Sequence, residues 1–324
     1  MKKEELRIVY MGTPGFAVES LRALVEEEYN VVGVITVPDK PVGRHGSVLQ
    51  PSAVKEYAES RHIPVLQPEK LKDECFLSRL REWKADLQIV VAFRMLPQAV
   101  WAMPRLGSFN LHASLLPQYR GAAPINRAVM DGETETGVTT FFLTHEIDTG
   151  RIIRQKRIPV ADTDDAGVVH DKLMKAGAEL VVETTRLILS GEADTLPQEQ
   201  LCQRLSELRP APKLDKETCR IDWNRPLKKI YDFVRGLSPY PAAWTELVTP
   251  EGNRQAVKIY QTEKRPALHQ LPAGTVVTDN RKYMDIAVPD GYVRLASLQL
   301  AGKKRMNAVD FLNGFKRLEG YTVI

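Results

Sequence analysis

Cysteine is scarce in this chain. Cys75, Cys202 and Cys219 are the three in 324 residues, an odd number with no metal-like spacing. That excludes a disulfide framework and reads as reduced thiols in a cytosol. Long apolar runs are missing too. None approaches the roughly 20 residues of a membrane span, so no membrane partner is expected. Met1 to Glu5 leads straight into a strand-like segment, without the apolar stretch of a secretory signal. The histidines are scattered: His45, His62, His145, His170 and His269 show no zinc-type spacing, so no metal is expected. Gly12-Thr-Pro-Gly15 stands where a dinucleotide-binding protein would carry Gly-x-Gly-x-x-Gly. It lacks that pattern and reads as a tight turn into a helix. No internal repeat or low-complexity tract interrupts the chain.

Charge of one sign is not abundant overall, with a formal net charge of +4. Its distribution is uneven. From Lys213 onward there are 19 Lys and Arg against 12 Asp and Glu, an excess of seven positive charges; the other 26 and 29 leave residues 1–212 at −3. A basic C-terminal part joined to a slightly acidic N-terminal part fits a polyanion held by the former. An excess of this size is also common on ordinary protein surfaces.

The length allows two domains with ample core. In the first two hundred residues strand-like and helix-like segments alternate. Leu6–Met11, Val31–Val37, Pro64–Leu66 and Leu87–Ala92 read as strands. Glu19–Glu28, Pro51–Arg61, Leu71–Trp83 and Asp165–Leu189 read as helices, the last capped by Asp162 or Thr163. That rhythm predicts an α/β fold with an open, mostly parallel sheet. The stretch from Ser190 to Pro212 is polar and punctuated by proline, and reads as a linker. Beyond it a helix at Pro226–Arg235 precedes short β-rich segments at Trp244–Val248, Ala256–Tyr260, Thr275–Thr278, Tyr283–Val288 and Tyr292–Leu300. So many short strands in one stretch predict a small β-barrel. The expected division is a catalytic domain over 1–192, a linker over 193–212 and a C-terminal domain over 213–324.

The most informative segment runs Ser108-Phe-Asn-Leu-His-Ala-Ser-Leu-Leu-Pro117. Phe109 to Ala113 alternates apolar and polar residues, as a short strand does. A period of two puts Asn110 and His112 on one face, just before a proline turn, as suits a cleft at a strand's carboxyl end. Asp148 follows a second apolar stretch, Gly137 to Ile147, in an Asp-Thr-Gly turn. An Asp near a His can fix its tautomer and favour its charged form. On spacing alone, a sheet edge with satisfied polar groups explains Asn110 and His112 as well as catalysis does.

The longer string closely resembles the folate-dependent formyltransferases. It comprises Asn-x-His-x-Ser-Leu-Leu-Pro from Asn110, Arg120-Gly-Ala-Ala-Pro-Ile125 and Asp148-Thr-Gly150. The similarity extends over nearly the whole chain, through Ile8 to Ala17, Thr36 to Arg44, Lys213 to Trp223, Pro239 to Trp244 and Leu300 to Lys304. It points to the branch of that superfamily acting on the methionyl group of initiator tRNA.

The resemblance implies a Rossmann-like formyltransferase fold followed by an oligonucleotide-binding (OB) type barrel. It implies a bacterial cytosolic enzyme, expected to be monomeric, with 10-formyltetrahydrofolate as formyl donor and initiator methionyl-tRNA as acceptor. Asn110, His112 and Asp148 become the expected catalytic residues. Asn110 would face the oxyanion without titrating, His112 would move the proton, and Asp148 would hold the imidazole. Ser114, Leu115, Leu116 and Pro117 become the expected folate-binding segment, a backbone edge and apolar wall for the pterin. Phe93, Arg94 and Met95 depart from the family's form at the pterin pocket. Arg44, in the loop Pro38–Leu49, is the residue expected to meet the acceptor end of the tRNA. It is followed here by His45-Gly-Ser47 where the family's form has paired lysines. Lys303, Lys304 and Arg305 are the expected phosphate contacts beside a barrel strand. A small-molecule formyltransferase acting on a glycinamide ribonucleotide or a sugar nucleotide amine is the competing enzyme class; the basic C-terminal extension argues against it. A non-catalytic tRNA- or folate-binding protein is a further class, and the intact Asn110, His112 and Asp148 set argues against that.

Overall fold

The computed structural model describes residues 2–42, 48–201, 207–315 and 317–324. They form two compact units, each assembled from separated stretches. Residues 1–121, 135–158 and 170–210 make the first, and 122–134, 159–169 and 211–324 the second.

The first unit is built on a seven-stranded sheet. Its strands are β1 (Ile8–Gly12), β2 (Val31–Ile35), β5 (Val65–Leu66), β6 (Leu87–Val91), β7 (Ser108–His112), β8 (Glu135–Phe142) and β9 (Ile152–Pro159). The spatial order is β5-β2-β1-β6-β7-β8-β9. From β5 through β7 the neighbours are parallel, while β8 runs antiparallel to β7. A two-stranded hairpin of β3 (Lys40–Val42) and β4 (Val48–Gln50) stands apart from this sheet. β1 and β6 are buried along their whole length, which explains why they read as continuous apolar runs. Chain order reverses between β1 and β6, the usual location of a ligand crevice in an open α/β sheet.

Helices that accompany these strands include α1 (Gly15–Glu26), α2 (Ala53–Ser60), α3 (Glu74–Glu82) and the short α4 (Gln98–Trp101). The apolar residues of α3, Phe76, Leu77 and Leu80, pack with Val9, Met11, Ile35 and Val90. Side-chain caps set the helix starts. The Ser52 hydroxyl accepts from the Lys55 amide at 3.1 Å, and Asp73 accepts from Phe76 at 3.1 Å. α2 therefore begins two residues after the Pro51 start that the proline alone suggested, because Ser52 is the better cap. The long helix α6 (Ala166–Ser190) begins with the Val168 amide bonded to Asp165 at 2.9 Å, not to Asp162 or Thr163.

The second unit contains α5 (Pro124–Asp131), α7 (Leu227–Leu237), α8 (Ala308–Gly314) and a barrel. Its strands are β10 (Ala243–Val248), β11 (Arg254–Pro266), β12 (Val276–Thr278), β13 (Met284–Val288), β14 (Gly291–Leu300) and β16 (Thr322–Val323), in the order β12-β13-β14-β11-β10-β16. The short β15 (Met306–Asn307) pairs with β14. A bridge from Thr275 to Thr322 joins the two ends of this sheet, which leaves the barrel nearly closed. Inward residues such as Val257, Ile259, Ile286, Val293 and Leu295 fill the core with Ile230, Val234 and Leu237 of α7. α5 lies close to α7. A Cβ at Gly236 would sit 2.5 Å from Met130 Cγ, and Asn126 donates to the Gly236 carbonyl at 2.8 Å.

The expected boundaries at 192 and 212 differ from this division. Residues 122–134 and 159–169 lie within the sequence of the catalytic part but pack with the second unit. The segment read as a linker is not a free tether over its described part. Leu196 pairs with Ile152 through two backbone bonds of 2.8 Å, and Gln198 is 1% exposed.

Candidate active site

The site grows from the carboxyl ends of β1, β6 and β7, the three neighbours beside the reversal of strand order. In β7, Phe109 and Leu111 point into the core. Gly177 of α6 comes so close to Leu111 that a Cβ there would be 2.7 Å from Leu111 Cδ2. Asn110 and His112 share the other face, as the strand period requires. Asn110 is half-buried, and its side chain makes no hydrogen bond among the described residues. Its two N–H donors are therefore available. On β1, Tyr10 is wholly buried and donates to the Ala17 carbonyl at 2.5 Å; burial pushes its phenol far above the usual tyrosine range. That bond ties the strand to the first turn of α1, across the Gly12–Gly15 turn. A Cβ at Gly12 would lie 2.7 Å from that of Ala17, so only glycine allows the turn to close this tightly.

His112 is buried and held by backbone. Its Nε2 lies 2.8 Å from the carbonyl oxygen of Tyr119. A carbonyl only accepts, so Nε2 carries a proton and Nδ1 is the nitrogen left to exchange one. Nδ1 lies 3.9 Å from Oδ2 of Asp148. At that separation a charge on the ring is felt by the carboxylate, although the gap exceeds a hydrogen bond. The same Oδ2 accepts from the Gly121 amide at 3.0 Å. Asp148 has a left-handed backbone, with φ +56°, an uncommon conformation outside glycine that concentrates at functional sites. The turn is tight because Gly150 has no side chain: a Cβ there would fall 1.6 Å from the Phe142 carbonyl oxygen.

The Ser114–Pro117 segment is fixed from all sides. Ser114 Oγ donates to the Gln118 carbonyl at 2.6 Å, and Thr139 Oγ1 donates to the Ser114 carbonyl at 2.7 Å. Thr139 Oγ1 also accepts from the Leu116 amide at 3.1 Å, and Gln155 donates to the Leu116 carbonyl at 2.8 Å. Ser114 and Leu116 are buried, Leu116 against Phe141 and Ile152, and Leu115 packs on Gly137. Leu116 thus belongs to the core, whereas Leu115 is only partly buried. Arg94, the departure from the family's form, bridges two loops. It donates to the carbonyls of Glu69 at 3.0 Å and Pro68 at 2.7 Å, with its guanidinium 5.4 Å from the Phe93 ring centre. Met95 beside it is 74% exposed.

The expected tRNA contacts fare differently. Arg44 lies outside the described residues. Lys303 and Lys304 are exposed. Arg305 is exposed as well, and its Nε donates to Ser297 at 2.8 Å while its guanidinium lies over the Tyr260 ring, 4.4 Å from the centroid. His145 is exposed against Trp101. Tyr119 and Gln198 escaped the sequence reading. Tyr119 contributes only a carbonyl, which no side-chain pattern marks, and a glutamine in a polar stretch carries no signal of burial.

A family model described as formyl transferase matches residues 6–185, and one described as formyl transferase, C-terminal domain, matches residues 213–316. This chain belongs to the formyl transferase family. It is 72% identical over 323 residues to the methionyl-tRNA formyltransferase of Parabacteroides distasonis, covering all of both chains. It is 66% identical over 321 residues to that of Bacteroides thetaiotaomicron, covering 99% of each. Among solved structures, the N-formyltransferase of Helicobacter canadensis with folinic acid and dTDP-3-aminofucose aligns with a TM-score of 0.63 at 19% identity. That alignment covers 94% of this chain and 100% of the other. HypX of Aquifex aeolicus in complex with tetrahydrofolic acid aligns at a TM-score of 0.64 and 18% identity, over 97% of this chain and 48% of HypX. At such identities the shared property is the fold. The Rossmann-like sheet and the barrel are thus those of a formyltransferase, as the sequence motifs implied. Among the described residues no three His, Cys, Asp or Glu side chains gather as a metal cluster, and no helix is long and apolar enough to cross a membrane.

Proposed function

We propose that this protein transfers the formyl group of 10-formyltetrahydrofolate to the free amine of the methionyl group on initiator methionyl-tRNA. The product is N-formylmethionyl-tRNA for translation initiation. The observation that carries this reading is the end-to-end match to the Parabacteroides distasonis enzyme, at 72% identity over both family segments.

The geometry supports a direct acyl transfer. The methionyl nitrogen attacks the formyl carbon, the carbonyl oxygen gains negative charge, and the bond from that carbon to N10 of the folate breaks. The amine loses a proton and N10 gains one. Asn110 has unengaged N–H donors and does not titrate, which suits it to the oxyanion; such a donor is worth about 3–4 kcal/mol of barrier. His112 has one ring nitrogen committed to Tyr119 and the other available, so Nδ1 is the atom that accepts the amine proton and returns it to N10. Asp148 sets a carboxylate oxygen 3.9 Å from Nδ1, the atom that handles the proton. The folate supplies the formyl group, and the hydrogen-bonded backbone of Ser114 to Pro117 offers a fixed edge for its pterin.

For the tRNA, phosphate contacts fall to the exposed Lys303, Lys304 and Arg305 of the basic second unit, and acceptor-end placement to Arg44. Arg305 is proposed to shape this surface through Tyr260. The setting is the bacterial cytosol, with the enzyme acting as a monomer. Incubation with 10-formyltetrahydrofolate and initiator methionyl-tRNA should yield acid-stable formylmethionine on the tRNA. Absence of that product, with formylation instead of glycinamide ribonucleotide or a sugar nucleotide amine, would overturn the reading.

A further inference from the structure

We infer that Gln198 is a positioning residue of this active site. Its amide clamps the Asp148–Gly150 turn to the Tyr119–Gly121 segment and so holds the Asp148 carboxylate at His112. The inference rests on the proposed roles of His112 and Asp148 in formyl transfer.

Gln198 is 1% exposed and uses its full hydrogen-bonding capacity. Nε2 donates to the carbonyls of Asp148 at 2.9 Å and Gly150 at 2.8 Å. Oε1 accepts from Arg120 Nε at 3.1 Å and Nη2 at 2.6 Å. The orientation of the amide is forced, because the two carbonyls only accept and the guanidinium only donates. The partners on both sides already touch the reacting groups. The carbonyl of Tyr119 holds His112 Nε2, and the amide of Gly121 holds Asp148 Oδ2. Arg120, between them, sends its side chain to Gln198. Three consecutive residues thus meet the imidazole, the clamp and the carboxylate in turn.

The need for a clamp follows from the backbone. Both Tyr119, at φ +59°, and Asp148, at φ +56°, occupy the left-handed region. Such residues persist there only when their surroundings over-determine them. For Asp148, one buried amide fixes its own carbonyl and that of Gly150. Without those donors the turn is free to relax to a right-handed or extended backbone, which swings the carboxylate away from Nδ1. Gln198 touches neither His112 nor the Asp148 carboxylate, so it acts on the chemistry only through position.

Gln198→Glu separates the two halves of the clamp. It keeps an acceptor for Arg120 but loses both donations to the turn. Steady-state formylation should show kcat lowered roughly 10-fold or more in Gln198→Glu and Gln198→Ala, since misplacing a reacting group by about 1 Å costs up to ~10²-fold. KM for folate and for tRNA should stay within about twofold, as expected when ground-state binding is untouched. On an Asp148→Asn background, Gln198→Ala should add little, because both changes act through one carboxylate. A Gln198→Glu enzyme with unaltered kcat would overturn the inference, as would a loss that multiplies fully with that of Asp148→Asn. Where the alanine chain fails to fold, Gln198→Asn, one methylene shorter, replaces it in the same cycle. The wild-type protein in the same assay tests the formyl-transfer reading separately, since its failure would appear before any variant is compared.

Discussion

The Nε2 of His112 donates to the carbonyl of Tyr119 over 2.8 Å, so the ring is oriented by backbone and not by the carboxylate beside it. Asp148 is thereby left to act on charge at Nδ1. Removing the imidazole in His112→Ala should lower kcat by about 10²-fold or more. Asn110→Ala should lower it by about 10²–10³-fold if its amide serves the oxyanion. Asp148→Asn keeps the side chain's shape and removes its charge, and is expected to fall between wild type and His112→Ala. Single-turnover formylation measures all three, with tRNA affinity followed separately and expected to hold. A His112→Ala enzyme within a factor of a few of wild type would remove the imidazole from the mechanism.

Lys303, Lys304 and Arg305 are all exposed, and Arg305 is also bonded to Ser297 and lies over Tyr260. Reversing the two lysines to glutamate should weaken tRNA binding and reduce the salt slope of log K by roughly one unit for each phosphate no longer neutralised. Arg305→Ala should instead lower thermal stability with a smaller change in the salt slope. Filter binding across a salt series separates these outcomes; an unchanged slope in the lysine double variant would place the tRNA on another surface.

In the second unit, Asp232 is 1% exposed and Arg235 7% exposed, with Arg235 Nε donating to Asp232 at 2.8 Å. Arg235 also reaches the carbonyl of Asp164 at 2.8 Å, and Lys228 bonds both oxygens of Asp232. Asp232→Ala would strand a buried guanidinium, which costs about 3–5 kcal/mol. Urea denaturation at neutral pH is the measurement, and a loss under about 1 kcal/mol would mean that water replaces the carboxylate.

Burial by itself would raise the Asp86 carboxyl. The Arg7 amide at 2.9 Å and the Arg105 guanidinium at 2.6 Å outweigh it and hold the group below the usual carboxylate range. A lowered folded-state value means that this stabilisation is complete above the unfolded pKa, about 3.9. It is lost as pH falls through the lower folded value. Asp86→Asn should therefore be less stable than wild type at pH 7, and the difference should shrink on acidification below about pH 4. A constant difference from about pH 7 to about pH 2.5 would contradict the assignment.

The strands of the first sheet were legible because burial on both faces leaves unmistakable runs, as in Leu87 to Val91. Asn110 and His112 were placed on one face by the strand period alone, and Asp148 by its turn. The grip on His112 was not legible, since it is a backbone carbonyl in a left-handed residue. The burial of Gln198 was hidden because its partners are 48 and 78 residues away. Helix α5 was missed for a related reason. Its apolar residues face α7, about a hundred positions downstream, so no local pattern shows what they cover. The strand at Ile152–Pro159 escaped because its second half is exposed and charged.

The second unit borrows α5 from the middle of the chain, with Met130 packed on its core and Asn126 bonded to the Gly236 carbonyl. Its barrel is thus not a detachable cassette. A fragment starting at Lys213 would carry every strand yet leave the α7 surface around Gly236 bare, inviting self-association. A chimaera that exchanged only the C-terminal segment with a distant relative would set a foreign α7 against the resident α5. Successful grafts are expected to carry residues 122–134 along with the barrel.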